Sequence, residues 1–251
     1  MSYTRIDGRQ PNELRQLSCS LGVQIAPTAS VLLRWGNTHV LTSVTVEERV
    51  PSHRLASGSG WVTAEYNMLP GSGSGRIARS TRGVKGRTAE IQRLIGRSLR
   101  AVFNPDALPP ITFTVDCDVI NADGGTRCAS ITAGSIGMAM AMNILKPKYP
   151  SLETGDMVSA VSLGVLNGEV ITDLCYHEDH QADVDLNVVA TQAGIVEIQG
   201  TGETGPFSRE HLDQMIELGM SGCQQLRRFQ QAVLSGFQEG QTEFVADWST
   251  L

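Results

Sequence analysis

The chain has no side-chain nucleophile in a recognisable catalytic setting. It contains no Gly-x-Ser-x-Gly turn, no His-Glu-x-x-His helix and no Gly-Lys-Thr phosphate loop. It also lacks paired cysteines. The five present, at 19, 117, 128, 175 and 223, are odd in number and form no Cys-x-x-Cys. That fits reduced thiols in a cytoplasmic protein better than a disulfide framework or a structural zinc. Long apolar runs are missing too. The stretch from Ile131 to Leu145 is broken by Ser135, glycines and Asn143, and reads as too short to cross a bilayer. Residues 1–7 carry no apolar signal core, so export is not expected. Nor is there an excess of positive charge: the formal net charge is −6. Such a total does not advertise a nucleic-acid binder, but a local basic patch acts within a Debye length whatever the sum.

What remains is an ordinary globular composition, 41% hydrophobic and 18% charged over 251 residues, long enough for a sizeable core. Two strands are expected between Leu17 and Trp35, joined near Pro27, then one over Val40–Val46 and one over Trp61–Tyr66. Pro70 to Gly75 is a Gly/Ser loop, expected to be flexible. Ile111, Phe113, Val115, Cys117 and Val119 alternate with polar residues, the period of a half-buried strand. Asn167-Gly168 between two apolar runs signals a hairpin, and Val184–Thr191 with Ile195–Gly200 suggests another. Ser208 is a plausible N-cap for a long helix ending near Gly236. The order is that of an α+β, or mixed α/β, protein with helices covering sheet faces. Residues 1–236 read as one domain. The tail, 237–251, reads as a surface extension or as partly disordered.

Three stretches carry chemistry. The first is Asn121-Ala-Asp-Gly-Gly-Thr-Arg127, between the alternating strand and an apolar helix. Glycines let a ligand approach the backbone, and the free amides and dipole of a helix start favour an anion. Thr126 adds a hydroxyl, and Arg127 a forked cation suited to phosphate. A tight turn with a surface arginine is the competing reading. The second is basic: Arg76, Arg79, Arg82, Lys85 and Arg87 lie on a loop poor in acids, the composition of a segment that clamps a phosphate backbone. Arg93, Arg97 and Arg100, on a helix from Thr88, read instead as a solvated face. The third is acidic. His177, Glu178, Asp179, His180, Asp183 and Asp185 place six potential ligands within nine residues. Oxygen donors suit Mg²⁺ and imidazoles a transition metal, although a helical pairing of His177 with His180 is doubtful in a segment joining strands. A solvated polar loop is the alternative. Together, an anion pocket, a basic loop and carboxylates without a nucleophile suggest bound phosphate or water attacking a phosphodiester.

The motifs Arg5-Ile-Asp-Gly-Arg9, Gly60-Trp-Val-Thr-Ala-Glu-Tyr66 with Met68-Leu-Pro70, Gly86-Arg-Thr-Ala-Glu, Asp116-Cys-Asp118, Ala122-Asp-Gly-Gly-Thr-Arg127 and Asp179 with Asp185-Leu-Asn187 resemble, in combination, those of the ribonuclease PH family. The match runs from about Arg5 to Ser235. The resemblance implies a phosphorolytic 3′-to-5′ exoribonuclease, a nucleotidyltransferase acting on tRNA precursors and on rRNA. It implies Arg87, Gly125, Thr126 and Arg127 as phosphate ligands, and Asp179 and Asp185 as catalytic carboxylates that hold Mg²⁺ or assist protonation of the leaving oxygen. Arg76 and Arg79 would bind RNA. It also implies a ribosomal-protein-S5-domain-2-like βαβα sandwich and a homohexamer, a trimer of dimers. One departure stands out: members carry an arginine directly after Met-Leu-Pro, where this chain has Gly71. Two rival functions keep the same residues in play, a hydrolytic metal-dependent ribonuclease and a non-catalytic RNA-binding ring subunit.

Overall fold

A computed structural model describes residues 3–79 and 86–250. Arg82 and Lys85 of the basic loop lie outside these residues. The first sheet holds β1 (Leu17–Leu21), β2 (Ala29–Trp35), β3 (Thr38–Glu47), β4 (Trp61–Met68), β5 (Thr112–Asn121) and β10 (Glu243–Val245). Their order is β10-β1-β2-β3-β5-β4. All pairs are antiparallel except β4 with β5, which are joined by the crossover helix α1 (Gly86–Arg100), as a parallel pair requires. The second sheet, β7-β6-β8-β9, is antiparallel throughout. It comprises β6 (Ser159–Leu166), β7 (Glu169–Thr172), β8 (Val184–Ala190) and β9 (Ile195–Gly202).

Between the sheets runs α2 (Thr126–Leu145), packed on β2, β3 and β5 on one side and β6 on the other. A helix buried all round needs no polar face, and every residue of α2 from Cys128 to Met142 is buried. At 20 residues α2 is long and apolar enough to cross a membrane, but 83% of its apolar window is packed inside the protein. It therefore exceeds the length read from the sequence and serves as the core helix. Small residues allow the close approach: Gly137 would place a Cβ 3.0 Å from a Val44 methyl. The 30-residue helix α4 (Arg209–Gln238) packs on β6, β7 and β8, and its N-cap Ser208 accepts from the backbone N–H of His211. One continuous core draws on both sheets, the mark of a single α+β domain.

Most expected elements are present, including the Asn167-Gly168 hairpin, with both turn residues at positive φ as a type I′ turn requires. Four expectations change. The tail is not a loose extension, because β10 pairs with β1 through Ser18↔Val245 to Ser20↔Glu243, and the Trp248 Nε1–H donates to the Arg15 carbonyl. The Gly/Ser loop is anchored: Ser72 donates its N–H to Leu69, accepts from Ala122, and Ile77 donates to Pro70. Helix α1 begins at Gly86, so Arg87 stands on its first turn. Finally, Arg93 and Arg97 are exposed as expected, but Arg100 is partly buried. Arg97 forks onto Glu197 of β9, and Arg100 lies over the Trp61 ring while donating to the Val62 carbonyl.

Candidate active site

The turn after β5 enters α2 through two left-handed glycines, Gly124 (φ 75°) and Gly125 (φ 66°), a conformation that side-chain-bearing residues resist. Space is a second reason at Gly124, where a Cβ would stand 2.4 Å from the Leu174 carbonyl oxygen. Several groups hold the turn. The Thr38 hydroxyl donates to the Gly124 carbonyl at 2.7 Å and accepts from the Asp123 N–H at 3.0 Å. The Arg15 guanidinium donates to the Asp123 carbonyl. The Asp123 carboxylate accepts from the N–H of Tyr176. A turn fixed in this way presents the first amides of α2 in one direction, with the positive end of the helix dipole behind them.

That helix end opens into a cleft of about 870 Å³ between the two sheets. Arg87, Gly125, Thr126, Arg127, Asp179 and Asp185, singled out in the sequence, all line it. The Thr126 hydroxyl pairs with the Tyr66 phenol at 2.9 Å. Arg127 donates to the Gln199 side chain at 3.2 Å and sits 4.0 Å from Glu90, which holds its guanidinium across the opening. Asp185 accepts from the Asn187 amide at 3.3 Å. Burial pushes the Asp179 carboxyl above the usual aspartate range, against the pull of Arg127 and Arg87. Burial does the same to Asp185, reinforced by the negative charge of Asp179. The pair therefore holds a proton more readily than two solvated aspartates. Arg76 and Arg79 are exposed and stand outside the cleft lining, whereas Gly73, Ser74, Gly75 and Ile77 of their loop form part of it. The charge of Arg79 is felt at Asp118.

The acidic run divides rather than converging. A one-turn helix, α3 (Tyr176–Asp179), points Glu178 and Asp179 to different surroundings, and a helix does lie where a strand connection was expected. The Glu178 side chain is 0% exposed and accepts from Arg5 Nε and Nη2, both at 2.8 Å. It also caps α3 by accepting from the Cys175 N–H. His177 meets Gln181, and His180 stacks on Tyr176. Asp183 accepts from the Thr204 hydroxyl. Among the described residues no group of three or more His, Cys, Asp or Glu is arranged to hold a metal. The two cleft aspartates are hard oxygen donors, and Mg²⁺ typically needs one or two carboxylates, with water and substrate phosphates completing its shell. They fit that ion.

Three contributors have roles that the sequence does not show. Arg15 is buried and forks onto Asp173, while Asp173 also accepts from the Trp35 indole and Arg9. This ionic knot props the glycine turn from below. Tyr66 of β4 orients Thr126 at the start of α2. Only the motif around Arg5 and Arg9 hinted at the knot, because the partners of those two arginines lie more than 160 residues away. The thiols take no part in nucleophilic chemistry: all five are buried, and burial pushes Cys19, Cys117 and Cys223 up to about 12.

Comparison with known proteins agrees with this geometry. Residues 13–142 match the model of the 3′ exoribonuclease family, domain 1, and residues 156–222 match its domain 2. Ribonuclease PH of Corynebacterium kroppenstedtii is 47% identical over 238 residues, covering 93% of this chain and 94% of that protein. That of Synechococcus sp. is 45% identical over 242 residues, covering 94% and 100%. Among solved structures, rice (Oryza sativa) Rrp46 superposes with a TM-score of 0.75 at 21% identity, covering 92% of this chain and 100% of that one. The Archaeoglobus fulgidus exosome with RNA bound to the active site gives 0.74 at 19%, covering 89% and 91%. These two likenesses speak for the fold alone. The chain belongs to the 3′ exoribonuclease family, in its ribonuclease PH branch of phosphate-dependent 3′-to-5′ exoribonucleases.

Proposed function

We propose that the cleft between α2 and β8 carries out phosphorolysis of RNA 3′ ends, with inorganic phosphate seated on the first turn of α2. The observation that carries this is the convergence of a helix start, two arginines and two carboxylates on one cleft. Phosphate and RNA are both anions, so the site must first offset their repulsion. The α2 amides, Arg127 and Arg87 do so, and they stabilise charge on the equatorial oxygens as one phosphate oxygen attacks the terminal phosphorus. The bond from phosphorus to the 3′ oxygen breaks, leaving a nucleoside diphosphate and a chain one nucleotide shorter. Asp179 and Asp185, with raised affinity for a proton, are the groups in the cleft suited to give one to the departing 3′ oxygen. A Mg²⁺ held by the same two carboxylates would supply Lewis-acid stabilisation of charge on phosphate oxygens. Because one phosphate linkage replaces another, the reaction should also run toward nucleotide addition.

The substrates proposed are tRNA precursors and rRNA, in the cytoplasm. The assembly proposed is a homohexamer, a trimer of dimers, with Arg76 and Arg79 binding RNA through its backbone. A hydrolase would have no use for an anion cradle on α2, and a binding-only subunit would have no use for the two aspartates. A pair of variants tests the division of roles. Arg127→Ala should raise the phosphate KM far more than the RNA KM, whereas Asp185→Ala should abolish turnover with phosphate still bound. The reverse pattern rejects the assignment.

A further inference from the structure

We propose that Ser162 is a further ligand of the attacking phosphate, its hydroxyl donating to an oxygen of the anion seated at the start of α2. This rests on the functional reading above and adds one residue to that site. Ser162 lies within β6, opposite Asn187 of β8. It is only 5% exposed, yet it lines the cleft, and its Oγ has no hydrogen-bond partner among the described residues. Nearby polar groups are engaged elsewhere. The Asn187 side chain accepts from the Cys128 thiol and donates to Asp185. The Thr132 hydroxyl accepts from the Ala160 N–H. Folded proteins rarely leave a buried hydroxyl unsatisfied, since its lost hydration is not recovered.

Its position supplies the missing partner. Ser162 Oγ is 3.5 Å from the point where a Cβ on Gly125 would stand, and Arg15 Nη2 is 3.2 Å from the same point. Glycine at the N-cap thus keeps open the space beside this hydroxyl, and a guanidinium borders it. An anion bound to the α2 amides sits at that place. Two separate features, the end of a 20-residue helix and a buried free hydroxyl facing it, point to one ligand. A serine hydroxyl donates a single hydrogen bond to a phosphate oxygen and carries no charge of its own.

The test is phosphate binding by the full-length protein in the absence of RNA, followed by calorimetry, for wild type, Ser162→Ala and Ser162→Cys. Steady-state kinetics of each variant are then measured with both substrates. A hydrogen bond to a charged oxygen predicts that Ser162→Ala weakens phosphate binding about tenfold or more. The thiol, a poorer donor, should fall between alanine and serine. The RNA KM should stay within about twofold. Thermal stability without phosphate should hold or rise, because no protein contact is lost. Unchanged phosphate affinity in Ser162→Ala, with the wild type binding normally, overturns this inference alone. A rise in the RNA KM in place of the phosphate KM also overturns it and puts the hydroxyl on the RNA. No phosphate binding by the wild type overturns the functional reading beneath it.

Discussion

Glu178 and Asp179 are adjacent in sequence, and the structure gives them opposite tasks, so conservative substitution of each should have opposite consequences. In Glu178→Gln the amide nitrogen must replace one carboxylate oxygen. At Oε1 it meets Arg5 Nε, and at Oε2 it meets both Arg5 Nη2 and the Cys175 N–H. Either way two donors face each other, and Arg5, itself buried, loses its counter-charge. Breaking a buried ion pair on one side costs about 3–5 kcal/mol. Arg5 retains the carbonyls of Gln10, Glu13, Thr172 and Asp173, which argues for the lower end. At about 3 kcal/mol, a chain of this length should lose roughly 6–12 °C in Tm. Asp179→Asn breaks no hydrogen bond or ion pair of the carboxylate among the described residues, and burial makes its ionisation costly despite Arg127 and Arg87. Its Tm should hold or rise slightly, while turnover falls by about a hundredfold or more.

The pH dependence adds a second reading of the same pair. Arg5 and the Cys175 amide hold the Glu178 carboxyl below the ordinary glutamate range despite burial. Its stabilisation is therefore present at neutral pH and lost as pH falls through the acidic range, a slope that Glu178→Gln should lack. Asp179 is shifted upward, so its ionisation lowers stability as pH rises past the ordinary aspartate range. Asp179→Asn should remove that loss. Thermal unfolding across acidic to neutral pH in metal-free buffer, with turnover measured well below each Tm, decides the matter. A Glu178→Gln variant as stable as wild type but inactive would refute the reasoning.

Two further outcomes follow from the same contacts. Tyr66→Phe removes the partner of the Thr126 hydroxyl, and the phosphate KM should rise about two- to tenfold with the RNA KM unchanged. Gly71→Arg has room, since nothing among the described residues lies within 4 Å of a Cβ there. It should tighten tRNA binding and steepen the salt dependence by roughly one phosphate contact, read from binding at several ionic strengths.

The sequence made legible what depends on neighbours in the chain. The alternation in β5, the Asn-Gly hairpin, the Ser208 cap and the glycine turn before α2 are local signals with a fixed period or dihedral, and each is present in the structure. Long-range effects were not legible. Glu178 resembles its acidic neighbours until Arg5, 173 residues away, is seen to draw it inward. The tail shows little periodicity, yet the free edge of β1 orders it: Phe244 and Trp248 pack against the core and Glu243–Val245 completes the sheet. Tyr66 closes a motif that carried the resemblance, but its task was not legible, because its partner Thr126 lies across the parallel β4–β5 pair, beyond the end of β5. In the site the residue types pointed to the chemistry, while their supports, Arg15, Asp173 and Tyr66, came only with the fold.

The central claim is that phosphate is the nucleophile. Incubating the purified protein with a 3′-extended tRNA and Mg²⁺, with and without inorganic phosphate, and identifying the released nucleotides tests it directly. Nucleoside diphosphates released only when phosphate is present are the predicted result. Monophosphates released without phosphate would contradict the account and make the cleft that of a hydrolase.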